Sequence, residues 1–177
     1  NFNIKAASTQ GSAQVDAVKI DQTGIYVQRG GARVYELSFD QSGVDYSSSH
    51  LSALVPEIGL PEIVKLAVQR QPDTRVHCLR SDGTVALLVF DKTEQVICWL
   101  EIETDGLIED VAVLPGDDGD EEDWVYYSVN RTINAATTRL LEKWSFESEC
   151  RGATLNKQAD SFITYNQAAS ATIGGLT

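Results

Sequence analysis

A chain of 177 residues, 42% hydrophobic and 23% charged, carries enough apolar mass for one cored domain of ordinary globular composition. Its 14 Lys and Arg against 26 Asp and Glu leave a net charge of −12. That balance argues against a protein that coats nucleic acid, which needs clustered cations. It also holds no apolar run approaching the roughly 20 residues of a membrane-crossing helix, so no membrane span is expected.

The chain opens on Asn1, carries no signal-peptide pattern and contains no methionine, so a processed or excised piece of something longer is expected. From Val15 a pattern starts that returns twice. "VDAVKI" at Val15 is matched by "IVKLAV" at Ile63 and "IEDVAV" at Ile108, with starts 48 and 45 residues apart. Apolar residues hold equivalent places: Val15, Val18, Ile20; Ile63, Leu66, Val68; Ile108, Val111, Val113.

The segments after each run also match in kind. After the first come the turn "DQTG", then "IYVQR", "GGA" and "RVYELSFD". After the second come "QRQPDT", "RVHCLR", "SDG", "TVALLVFD", "KTEQ" and "VICWLEIE". After the third come "LPGDDGDEED", "WVYYSVNR", "TINAATT" and "RLLEKWSF". These segments are rich in β-branched and aromatic residues, and Gly, Asp, Asn or Pro punctuates them, so they read as strands joined by turns. "SDG" is a hairpin signal because glycine enters positive φ freely.

Each unit is therefore an antiparallel meander of three or four strands over about 45 residues, which is the size of a β-propeller blade. The expected fold is all-β, with blades near residues 14–40, 61–103 and 105–146. Such meanders stack to cover each other's faces. Imperfect alternation in "VALLVF" and "VICWL" predicts strands buried on both faces. Three blades cannot close a ring, so an incomplete ring within residues 1–150 is expected.

Between the first two blades, residues 41–60 form an insertion. Ser48 or Ser49 there is expected to cap one short helix through "HLSALV", ending near Pro56. The first blade's fourth strand is then missing or hidden in the insertion. Residues 151–177 read as an extended tail with one strand, "SFITYN".

At this point the order "YVQRGGARVYELSFD", "VDYSSSHLSALVPEI", "IVKLAVQRQPDTRVHCLRSDGTVALLVFDKTEQVICW" and "TRLLEKW" resembles a family of tailed-bacteriophage and prophage virion proteins. The family is that of tail tubular protein B, the tail nozzle of short-tailed phages, and the similarity runs through most of residues 14–177. "ADSFITYNQAASATIGGLT" also resembles the family, where such a stretch leads into a further β region. The resemblance implies a non-enzymatic structural component of the tail or connector, made in the host cytoplasm and built into the virion tail. Its partners would be other tail subunits, with a homo-oligomeric ring in the full-length protein and DNA passing through without specific binding. It implies no catalytic residue and no cofactor. A rival expectation is a propeller-type binding module for a host-surface glycan or protein, marked by exposed aromatics converging on one face.

Candidate sites are few. His50, in "SSSHLS", lies beside serines, but a nucleophile needs a base in reach and a third group orienting it. A capping role is expected instead, and His77, between Val76 and Cys78, is expected to be structural. Cys78, Cys98 and Cys150 match no metal spacing, and the first two, in apolar runs, are expected as buried free thiols. No pair among the acids is singled out for glycosidase chemistry, and Asn130-Arg131-Thr132 is a chance glycosylation pattern. Arg29, Arg33, Arg70, Arg75 and Arg80 are scattered and expected to meet solvent or acids. Trp99, Trp124, Tyr126 and Trp144 are expected to pack between blades or to form an interface. Six acids fall between Asp117 and Asp123. Gly119 stands too early for an EF-hand loop, so Asp117, Asp118 and Asp120 are left as a loose cation candidate on a hairpin tip.

Overall fold

The computed structural model describes residues 6–42 and 44–146; the expected tail of residues 151–177, its "SFITYN" strand and Cys150 lie outside them. The described residues are all-β. Strands β1 (Val18–Ile20), β2 (Thr23–Val27), β3 (Val34–Asp40) and β4 (Asp45–His50) form a first antiparallel sheet in sequence order. β5 (Ile63–Gln69), β6 (Arg75–Arg80), β7 (Val85–Asp91) and β8 (Val96–Ile102) form the second. β9 (Leu107–Leu114), β10 (Trp124–Ile133) and β11 (Ala136–Lys143) form a three-stranded third.

The middle sheet is covered on both faces, and its register shows why its strands lack alternation. Val76 stands opposite Val68 and Leu88, and Cys78 opposite Leu66 and Ala86. These side chains join Ile20, Ile25, Val27 and Val34 of the first sheet in one core. On the other face, Leu79 and Val85 meet Ile108, Val111, Val125, Tyr127 and Val129 of the third sheet in a second core. A strand with apolar neighbours on both sides has no reason to alternate. The sheets adjoin through their leading strands, β1 beside β5 and β5 beside β9.

One contact repeats between sheets. Ile63, which starts β5, donates its N–H to Gly31 O at 2.8 Å, and Ile108, near the start of β9, donates to Gly83 O at 2.9 Å. Both glycines sit in the hairpin after the second strand of the preceding sheet, and both have φ of 80°. A Cβ at Gly83 would lie 2.9 Å from Leu107 Cα, so the close approach as well as the φ requires glycine.

No helix occurs among the described residues, so the expected helix through "HLSALV" is corrected. Asp45–His50 is a strand, and residues 51–59 are successive turns. The reason is visible at Val34. Leu51 donates its N–H to Val34 O at 2.9 Å, and the Ser52 hydroxyl receives Val34 N–H at 3.2 Å. The hydrogen-bonding groups that would open a helix are held by β3. The missing fourth strand of the first sheet is thus the serine-rich "DYSSSH" within the insertion.

A second correction concerns "VICWL". β8 is an edge strand: among the described residues no strand pairs its outer edge, Ile97 is 53% and Leu100 48% exposed, and Trp99 and Ile102 are its side chains that pack on the cores. Cys98 is exposed with it, whereas Cys78 is fully buried and its thiol is pushed up to about 12 by that burial.

Candidate functional site

Asp21 of the β1–β2 turn meets Arg70 Nη2 of the β5–β6 turn at 2.7 Å. Asp123, at the end of the β9–β10 turn, accepts the Arg70 and Gln71 backbone N–H groups at 2.6 and 3.0 Å through one carboxylate oxygen. Asp123 N–H in turn donates to Gln71 O at 3.1 Å. Corresponding turns of all three sheets therefore sit side by side at one end of the stack. The β7–β8 turn reaches the same end, where Asp91 and Lys92 share a cleft of about 560 Å³ with Asp21, Phe39 and Thr74. That end carries Asp21, Asp40, Asp45, Asp73, Asp91, Glu94 and the six acids of residues 117–123, against Arg70, Arg75, Lys92 and Lys143. Lys92 itself is committed to Glu36, a buried carboxylate on the core face of β3.

Within the loop of residues 115–123 the acids divide by role. Asp120 accepts the Asp117 backbone N–H at 3.1 Å and the Trp124 indole N–H at 3.0 Å, so it folds the tip back on its own strand. Gly116 passes so close to Glu122 O that a Cβ would lie 2.4 Å from it. Asp117, Asp118 and Glu121 are exposed. Among the described residues, no group of three or more His, Cys, Asp or Glu is arranged to hold a metal ion.

Behind this end runs a buried polar chain that the sequence did not signal. His77, fully buried on β6, has Nδ1 2.7 Å from Tyr127 Oη of β10 and Nε2 3.3 Å from Gln69 Oε1. Gln69 Nε2 donates to Gln71 O at 2.8 Å, which orients the amide and turns its oxygen toward His77. His77 must then carry its proton on Nε2, and the Tyr127 hydroxyl donates to the bare Nδ1. Burial first, and the charge of Arg75 second, lower the His77 pKa to about 4. Burial likewise pushes Tyr127 above the ordinary phenol range. Trp144 closes the group, 5.1 Å from His77 and 5.9 Å from Tyr127 between ring centres.

The other aromatic candidates separate. Trp99 packs against the first core and donates its indole N–H to Leu51 O at 3.0 Å. Trp124 and Tyr126 stand edge to face at 6.5 Å on the outer side of the third sheet, opposite Leu114 and Ala112, with Lys143 4.6 Å over the Trp124 ring. Leu141 shares that face through its pairing with Ser128 and is 74% exposed. The outer face of the first sheet carries Tyr26, Tyr35, Leu37, Phe39, Tyr46 and His50, with Phe39 and Tyr46 in edge-to-face contact at 5.4 Å.

His50 stacks flat on Tyr35 at 4.6 Å, and its Nε2 lies 3.1 Å from Ser52 Oγ. That hydroxyl is fully buried and already receives Val34 N–H, so the pair fastens strand to turn. Arg70, Arg75 and Arg80 meet Asp21, Asp73 and Glu101. Asn130 donates its amide to Glu109 at 3.0 Å. Among the described residues no helix is long and apolar enough to cross a membrane. No protein-family model matches the chain, and no curated protein matches it.

Proposed function

We propose that this chain is a non-enzymatic structural piece of a phage tail or connector. Its three sheets would stand as consecutive propeller-like blades of an incomplete ring around a DNA channel. The observation that carries the reading is the repeat: three stacked meanders, adjoining through their leading strands, with their acidic turns gathered at one end. A stack of this kind is a rigid spacer, and a concentration of carboxylates at one end repels phosphate instead of gripping it. DNA would slide past such a surface without specific binding. The resemblance to tail tubular protein B supplies the location, the virion tail, and the partners, neighbouring tail subunits in a homo-oligomeric ring.

Immunogold labelling of purified tailed particles, with antibody raised against this chain, tests the assignment. Gold confined to the tail is the expected result; label absent from tails overturns it. A second reading, a module that binds a host glycan, is favoured by Phe39 and Tyr46, 47% and 54% exposed on one face near Ser48. Reproducible glycan-array hits lost in Tyr46→Ala would raise it above the structural reading.

A further inference from the structure

The sequence contains three Asp–Gly steps, Asp82–Gly83, Asp105–Gly106 and Asp118–Gly119. A glycine after aspartate leaves the carboxyl open to attack by the next amide nitrogen, because no side chain blocks the approach. What holds the peptide between the two residues then decides whether the ring can close.

Two of the steps are held. The Asp82 carboxylate accepts the Thr84 N–H at 3.1 Å and the Thr84 hydroxyl at 2.6 Å. Gly83 N–H donates to Arg80 O at 3.1 Å, and Gly83 O receives Ile108 N–H at 2.9 Å. Asp105 O receives Arg131 Nη1, while Arg131 Nη2 is tied to Thr104 Oγ1 at 2.6 Å and to Glu142 at 2.9 Å. Gly106 lies so close to β10 that a Cβ there would stand 2.7 Å from Asn130 O. At both steps, swinging the amide nitrogen onto the carboxyl carbon breaks contacts to a neighbouring strand or sheet.

Asp118–Gly119 has no such restraint. It is the apex of a turn closed by Asp120 N–H on Asp117 O at 2.9 Å, and both of its residues are exposed. Among the described residues, neither the Asp118 carboxylate nor the Gly119 N–H and carbonyl has a hydrogen-bond partner. A Cβ built on Gly119 would meet nothing within 4 Å, so the space the reaction sweeps is empty. The contacts that fix the loop lie outside the step: Asp120 on Trp124, and Asp123 on the β5–β6 turn.

We propose that Asp118–Gly119 is a site of spontaneous aspartyl isomerisation in the folded protein, the one of the three Asp–Gly steps that the fold leaves reactive. The Gly119 nitrogen attacks Asp118 Cγ. A C–N bond forms as a carboxyl oxygen leaves in water with the amide proton, giving a succinimide. Water then opens the ring. Attack at Cγ restores aspartate, and attack at the α-carbonyl gives isoaspartate, whose backbone runs through Cβ and Cγ. Composition and charge are unchanged, and water is the only reactant. The product carries a free α-carboxylate on a lengthened loop tip, the acceptor that L-isoaspartyl O-methyltransferases esterify. The proposal is independent of the tail assignment.

The test holds the full chain at neutral pH below its unfolding transition, with a parallel sample in guanidinium chloride. Cleavage after glutamate places the steps in separate peptides, Ile63–Glu94, Thr104–Glu109 and Asp110–Glu121. Isoaspartate is scored as a peptide of unchanged mass and altered retention, and by methyl acceptance from an L-isoaspartyl O-methyltransferase. In the native sample it is expected to build up in Asp110–Glu121 and to form roughly tenfold or more slowly in the other two. In denaturant all three should convert at similar rates. Asp118→Glu keeps the charge but lengthens the side chain past five-membered closure, so it should abolish methyl acceptance in that peptide with unchanged thermal unfolding. A native sample in which Asp110–Glu121 does not convert, or converts no faster than the other two, overturns the proposal.

Discussion

His77 lies between two sheets with no solvent contact, and its neighbours fix both its tautomer and its charge. It is neutral when folded and takes up a proton near pH 6.5 when exposed, so unfolding binds a proton between pH 6.5 and about 4. Stability is therefore full above pH 6.5, falls by about 3 kcal/mol as pH drops through that window, and His77 adds no further loss below it. Denaturant midpoints measured against pH should show this slope, and His77→Phe should abolish it whatever its effect at neutral pH. Asp123 is a second structural residue within a loop that reads as mere charge. Removing its two backbone hydrogen bonds in Asp123→Ala should cost about 2 kcal/mol. Asp118→Asn, on an exposed side chain, should change the unfolding midpoint little. That His77 is structural was legible from its place between Val76 and Cys78, but its partner was not, because His77 and Tyr127 are 50 positions apart and only the stacked sheets bring them together.

At the scale of elements, the repeat was readable because burial imposes it. Ile63, Leu66 and Val68, like Ile108, Val111 and Val113, recur since each leading strand faces a core. Two elements misled for opposite reasons. "DYSSSH" has almost no apolar signal, as β4 is an edge strand held by its ladder to β3, and its serines read as helix caps. "VICWL" has a strong apolar signal but lies at a sheet edge, where Trp99 packs inward and Val96, Ile97 and Leu100 stay exposed. The inter-sheet glycine contact was only half legible. "SDG" announced a turn, yet not that its carbonyl would receive the next sheet's first N–H. Gly83→Ala should therefore cost about 2 kcal/mol or more, since it combines positive φ with a Cβ pressed on Leu107. Thermal unfolding would reveal it, and a Gly30→Ala change, where a Cβ meets nothing, provides the comparison.

For the whole molecule, composition announced the sign of the field but not its location. Topology gathers part of that negative charge, since meander turns of one kind all emerge at one end. Asp120 is occupied by its own loop and Asp123 by the β5–β6 turn, which leaves Asp117, Asp118 and Glu121 facing solvent. Replacing these three with Lys should convert a chain that does not retard duplex DNA at low salt into one that does, in a gel-shift titration, with folding unchanged. Retardation by the unmodified chain would contradict the repulsive role.

The most direct measurement is an electron-microscopy density map of intact tailed particles that contain this chain. The account predicts the three sheets at successive angular positions about the tail axis, with residues 20–23, 70–74 and 115–123 turned toward the channel that carries DNA. A map that places those acidic turns on the outer surface of the tail, with the channel lined by other elements, would contradict it.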